Sequence, residues 1–79
     1  MNYIILNKNE IGGENIYTSY SSQTLDEAKE LLKQLKHKFE AECEDAGFLD
    51  CIEVEQDTET YYEATDGEDW IEIKILKDL

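Results

Sequence analysis

Residues 24–47 read TLDEAKELLKQLKHKFEAECEDAG. They hold the one long helical pattern in the chain, and the rest of the fold is read outward from them. Thr24 and Glu27 fit a capping box: the Thr24 hydroxyl accepts from the Glu27 backbone N–H, and the Glu27 carboxylate reaches back. Leu25, Ala28, Leu31/Leu32, Leu35, Phe39, Cys43 and Ala46 then recur at steps of three and four, which makes one continuous apolar stripe. Gly47 suits the left-handed residue that ends a helix. The spacing predicts a helix from Leu25 to Ala46.

Either side of this stretch the pattern belongs to strands. Upstream, Tyr3-Ile4-Ile5-Leu6 is a short apolar run that suits a buried strand, and Ile16-Tyr17-Thr18-Ser19-Tyr20 reads as a second. Asn9 to Asn15, with Gly12-Gly13 at its centre, marks the turn of a β-hairpin between them. Downstream the period changes to two. Ile52 and Val54 alternate with Glu53 and Glu55, Tyr61 to Thr65 reads as a strand, and Trp70 to Leu76 as another, with Asp66-Gly67-Glu68-Asp69 as the turn between the last two. The expected order is β-β-α-β-β-β, an α+β domain with one long helix packed on a small antiparallel sheet. Its 79 residues and 9.2 kDa suit one domain, residues 1–79. A core this small is marginal, and self-repulsion among the acids weakens it further, so homodimerisation through an exposed edge strand stays open.

The chain carries 20 acids against 7 Lys and no Arg, a formal net charge of −13. Direct binding to nucleic acid is excluded, because neutralising phosphates needs clustered cations. An anionic membrane surface is excluded for the same reason, and no apolar run approaches a membrane span. The start Met1-Asn2-Tyr3-Ile4 lacks the basic opening of a signal peptide, which predicts a cytoplasmic protein.

The charge is segregated. Residues 1–39 carry five Lys and five acids, whereas residues 40–79 carry fifteen acids and two Lys. Between Glu40 and Glu72 stand fourteen acids and no Lys. A disordered acidic tail would lack the Phe48, Leu49, Ile52, Val54, Tyr61, Tyr62, Trp70, Ile71, Ile73 and Ile75 threaded through the same half, so these acids belong to a folded surface. Two features single out a binding surface. Glu40, Glu42, Glu44 and Asp45 crowd the helix C-terminus, where the dipole prefers cations and each exposed acid costs about 0.3–1 kcal/mol. Glu53, Glu55, Asp57 and Glu59 alternate, so an extended strand would set them on one face about 6.6 Å apart. The counterpart of such a surface is a Lys- and Arg-lined groove that normally holds nucleic-acid phosphates. The competing reading is an acidic face that only maintains solubility.

Other chemistry finds little support. His37 lies opposite the apolar stripe, where it is solvated, and no nucleophile elbow accompanies it. Cys43 falls on the core face and Cys51 follows without a second pair, so no metal is expected; the missing secretion signal favours reduced thiols. A calcium loop begun at Asp57 meets Tyr62 where glycine is required. Gly12-Gly13 lacks the Lys-Ser/Thr of a phosphate loop, and an anion-binding role would rest on Lys29, Lys33 and Lys36 alone. No cofactor and no catalytic residue is assigned. The aromatics offer more: Tyr61 and Tyr62 face opposite sides of a strand, and Trp70 shares parity with Glu72 rather than with Ile71, Ile73 and Ile75. Exposed Tyr61 and Trp70 amid carboxylates suit interface anchors.

In size, acidity and α+β layout, with no catalytic constellation, the whole chain resembles small phage-encoded inhibitors of host defence, such as anti-CRISPR proteins, anti-restriction DNA mimics and uracil-DNA glycosylase inhibitors. The resemblance implies a non-enzymatic protein of the bacterial host cytoplasm that occupies the nucleic-acid site of a basic host protein. The residues read above as a partner surface are Glu40, Glu42, Glu44, Asp45, Glu53, Glu55, Asp57, Glu59, Tyr61 and Trp70. The alternative is a structural or regulatory adaptor, or a homodimer, that makes contact through its sheet edge and aromatics.

Overall fold

The computed structural model describes residues 2–47 and 49–78; Phe48, counted above among the apolar residues of the second half, lies outside them. The chain runs β1 (Asn2–Ile11), β2 (Glu14–Ser22), α1 (Leu25–Ala46), a short 3₁₀ turn (Leu49–Cys51), β3 (Glu53–Asp57), β4 (Tyr61–Thr65) and β5 (Trp70–Asp78). The α+β class and the β-β-α-β-β-β order stand as expected from sequence. The helix bounds agree as well. Thr24, extended at φ −126° and ψ 155°, accepts from the Glu27 N–H at 3.1 Å, and Gly47 closes the helix at φ 82° with its N–H on the last-turn carbonyls.

The strands run longer than their apolar runs. β1 continues through the polar Asn7–Glu10, because backbone pairing with β2 on one side and β5 on the other satisfies every peptide group regardless of side chain. The turn expected across Asn9–Asn15 narrows to Gly12-Gly13, at φ 60° and 85°. Positive φ at both central residues is what a two-residue hairpin with the twist of its strands requires.

All pairings are antiparallel, in the order β2-β1-β5-β4-β3, with β2 and β3 at the edges. The N-terminal hairpin therefore joins the C-terminal meander through β1 and β5, and the segment containing α1 crosses from one edge to the other. The helix covers one face. Ile5, Tyr62, Ala64, Ile71 and Ile73 project from that face onto Ala28 and Leu32, with Tyr3, Leu31, Leu35, Phe39, Ile52 and Ile75 around them. Tyr62 is 1% exposed, its ring edge-on to Phe39 with centroids 6.3 Å apart and Lys36 Nζ 5.7 Å from its centroid. The ends of the helical stripe, Leu25 and Ala46, stay exposed. The opposite face of the sheet carries Ile4, Leu6, Lys8, Glu10, Tyr61, Glu63, Trp70, Glu72, Lys74 and Leu76, and among the described residues no element is layered over it.

β3 departs from the expected pattern. Ile52 precedes the strand, which runs on to Asp57, and the register slips between Val54 and Gln56. The slip breaks the alternation: Glu53 lies opposite Thr65 on the uncovered side, while Asp57 lies opposite Tyr62 on the helix side. Glu59 falls in the connection to β4. The expected single row of Glu53, Glu55, Asp57 and Glu59 is thus split between faces. Among the described residues, no helix is long and apolar enough to cross a membrane.

Candidate functional site

Nine of the fifteen acids of the second half are held in three places by ordinary local structure. Glu40, Glu42, Glu44 and Asp45 ride on the last turns of α1, Glu53 and Glu55 are exposed on edge strand β3, and Asp66, Glu68 and Asp69 form the β4–β5 turn. That turn is tightly specified. The Asp66 carboxylate accepts from the N–H groups of Asp69 at 2.7 Å and Glu68 at 2.9 Å, and these bonds hold it below the usual carboxylate range. Thr65 donates its hydroxyl to the Asp69 carbonyl at 2.7 Å and accepts from the Gly67 N–H at 3.0 Å. Asp69 also receives the Gly12 N–H at 3.3 Å, which ties this turn to the tip of the first hairpin.

Between the helix end and these turns lies a cleft of about 180 Å³. Phe39, Cys43, Ile52, Ala64 and Ile71 form its apolar lining, Ile11 and Trp70 border it, and Glu42, Asp66 and Asp69 stand at its rim. Burial pushes the Cys43 thiol up, and the carboxylates of Glu42, Asp66 and Glu40 push it the same way. An apolar slot with anionic edges can take a side chain that is aliphatic along its stem and cationic at its tip.

The structure separates the remaining residues read from sequence. Lys36 Nζ bonds Asp57 at 3.1 Å and Lys29 Nζ bonds Glu59 at 3.0 Å, so these two acids are partly neutralised from the helix. Both pairs are open to solvent on the acid side, where water screens the attraction, so they stabilise little. They also engage two of the three lysines on which an anion-binding role would rest. Lys36 thus pairs across to β3 and not along the helix with Glu40, one turn on. Glu40 is half-buried and, with Asp57, adds to the burial that raises the Tyr62 hydroxyl to about 12.

Tyr61 and Trp70 both lie on the uncovered face, away from Tyr62, Ile71 and Ile73. Tyr61 is half-buried and donates its hydroxyl to Glu63 at 3.2 Å. Its pKa rises to about 12, through burial first and then the Glu72 and Glu63 carboxylates. Trp70 is 41% exposed. Both thiols are free, Cys43 buried and Cys51 exposed, and His37 is exposed. Among the described residues, no three His, Cys, Asp or Glu side chains are grouped to hold a metal ion.

Sequence reasoning missed Ile11, Asp66 and Asp69 as parts of one site. Asp66 and Asp69 read as turn formers, which they are; their place on the cleft follows from the β1–β5 pairing, which sets the two hairpin tips side by side. Besides Glu59 and Asp57, the only acid between Glu40 and Glu72 in an ion pair among the described residues is Glu72, bonded to Lys74 at 3.1 Å. Comparison with protein-family models, with curated proteins and with solved structures returned no match.

Proposed function

We propose that the protein is a non-enzymatic inhibitor acting in the bacterial host cytoplasm, in the manner of an anti-CRISPR or DNA-mimic protein. It binds a basic, nucleic-acid-binding host protein through its acidic surface and blocks the nucleic-acid site. One observation carries this reading: nine acids of the second half, none of them in an ion pair among the described residues, sit on the helix end, on β3 and on the β4–β5 turn, with an apolar cleft between the helix end and that turn. Their backbone is fixed by hydrogen bonding, so a basic groove meets carboxylates already in place and binding orders little that was loose. The ion pairs of Asp57 and Glu59 balance those two acids, which leaves the contact to Glu42, Glu44, Asp45, Glu55, Asp66, Glu68 and Asp69, with Glu53 and Trp70 on the uncovered side of the sheet.

The test is capture from a bacterial lysate at low and high salt, followed by competition between the protein and DNA or RNA for the captured partner. Reversal of Glu42, Glu44, Glu53 and Glu55 to Lys leaves Asp57 and its bond to Lys36 intact. It should abolish displacement of nucleic acid and flatten the salt dependence. Displacement unchanged by those four reversals would sink the reading.

A further inference from the structure

The two edges of the sheet are built differently. β3 has five residues, a register slip and three acids, all devices that stop an edge strand from pairing with another chain. β2 has none of them. It is nine residues long and pairs with β1 without a slip from Tyr3↔Ser22 to Ile11↔Glu14. It contains no Pro, and from Asn15 to Ser22 it carries no charge. Glu14 to Ser21 are exposed throughout, with Ile16 at 51%, Tyr17 at 59% and Tyr20 at 37%.

The hairpin sets which groups face outward. A two-residue turn closes on a hydrogen-bonded pair, here Ile11 and Glu14, and bonded and non-bonded pairs then alternate. Ile16, Thr18 and Tyr20 therefore direct their N–H and C=O to β1, whereas Asn15, Tyr17, Ser19 and Ser21 direct theirs away from the sheet.

We propose that β2 is a self-association edge: a second copy of this chain pairs with it antiparallel, about a two-fold axis through Thr18. In that register Tyr17 meets Ser19 and Asn15 meets Ser21 as hydrogen-bonded pairs. Ile16 meets Tyr20 on the helix side, twice per dimer, which covers exposed apolar side chains of the favoured β-branched and aromatic kind. The two five-stranded sheets become one, with both helices on the same face. Charge selects a second copy at this edge rather than at β3. β2 lies four strand spacings from β3, about 19 Å, beyond the screening length of about 8 Å at physiological salt. Two strongly acidic molecules thus meet along the charge-free Asn15–Ser22 with β3 acids at the far ends.

Sedimentation equilibrium of the full chain tests this. The mass should rise with concentration from 9.2 kDa toward twice that value. Association should tighten with added salt, because like-charged copies repel; binding of a basic partner should weaken. Ser19→Pro removes an outward N–H and no bond to β1, and should raise the dimer dissociation constant at least about tenfold. A covalent readout does not depend on that variant folding well. Non-bonded antiparallel pairs bring Cα atoms to about 4.5 Å, within the range a disulfide spans. Thr18→Cys in a Cys51→Ser background should therefore cross-link to its own copy on mild oxidation, and Ser21→Cys in the same background should not. A 9.2 kDa species at every concentration and salt, or equal cross-linking at residues 18 and 21, overturns the proposal.

Discussion

The acidic edge and the neutral edge of this sheet follow opposite rules. β3 is short, slipped and charged, and lysines reach down from the helix to its last residue and to the connection beyond. β2 is long, regular and uncharged beyond Glu14, and it leans on the rest of the molecule through β1. The difference teaches that the charge asymmetry along the chain is also an asymmetry across the fold. A basic surface has reason to meet the helix end, β3 and the β4–β5 turn. A strand has reason to meet β2.

The largest expected effect lies beneath the acidic edge. Tyr62 fills the space between β4 and α1 and bears on Phe39. Tyr62→Ala should destabilise the protein by roughly 3–5 kcal/mol, as removal of a buried aromatic does, read as a lower urea midpoint. A smaller loss than a Leu6→Ala change on the uncovered face would mean the acidic side is not held by this ring. The same residue makes the acidic side sensitive to alkali. Burial, with Glu40 and Asp57, raises its hydroxyl from 10.0 to about 12, so the folded state holds this proton more tightly than the unfolded chain. Its stabilising contribution is whole below about pH 10 and is lost as the pH rises toward 12. Tyr62→Phe should flatten that part of the stability–pH curve, leaving the share of Tyr61.

The neutral edge breaks at its turn. Gly13 has φ 85° with nothing within 4 Å of where a Cβ would stand. Gly13→Ala is therefore a test of backbone conformation alone, with an expected loss of about 1–2 kcal/mol. Thermal melts measure it, and hydrogen exchange should show lost protection concentrated in β1 and β2. Protection lost equally in β3 would show that the two edges are not independently built.

How much of this was readable in the sequence depends on the range of the interaction concerned. Thr24 and Gly47 set the helix bounds through bonds to residues at most four positions away, and the Gly12-Gly13 and Asp66–Asp69 turns are equally local. The parity that puts Trp70 outward and Ile71 inward is also local, since it needs only a strand. The strand order was not readable: the β1–β5 pairing joins the two ends of the chain, and no periodicity encodes a partner. The same holds for the Lys36–Asp57 bond, the cleft and the slip in β3. That slip replaced a one-faced row of acids with a divided one, because Val54-Glu55-Gln56-Asp57 gives no local sign of where an extra residue is accommodated.

The smallest effect is the most discriminating, because stability and binding should move in opposite directions. Glu44 lies in the last turn of α1, which contains no basic residue, and its carboxylate faces the negative end of the helix dipole. Glu44→Lys exchanges that repulsion for attraction and should raise stability by about 0.3–1 kcal/mol at low salt, with the gain fading as salt is added. If the acids at the helix end serve a basic partner, the same substitution should weaken displacement of nucleic acid from that partner while the protein itself becomes harder to unfold. A variant that is more stable and binds equally well would assign Glu44 to solubility alone, and the contact would then rest on the cleft rim and β3.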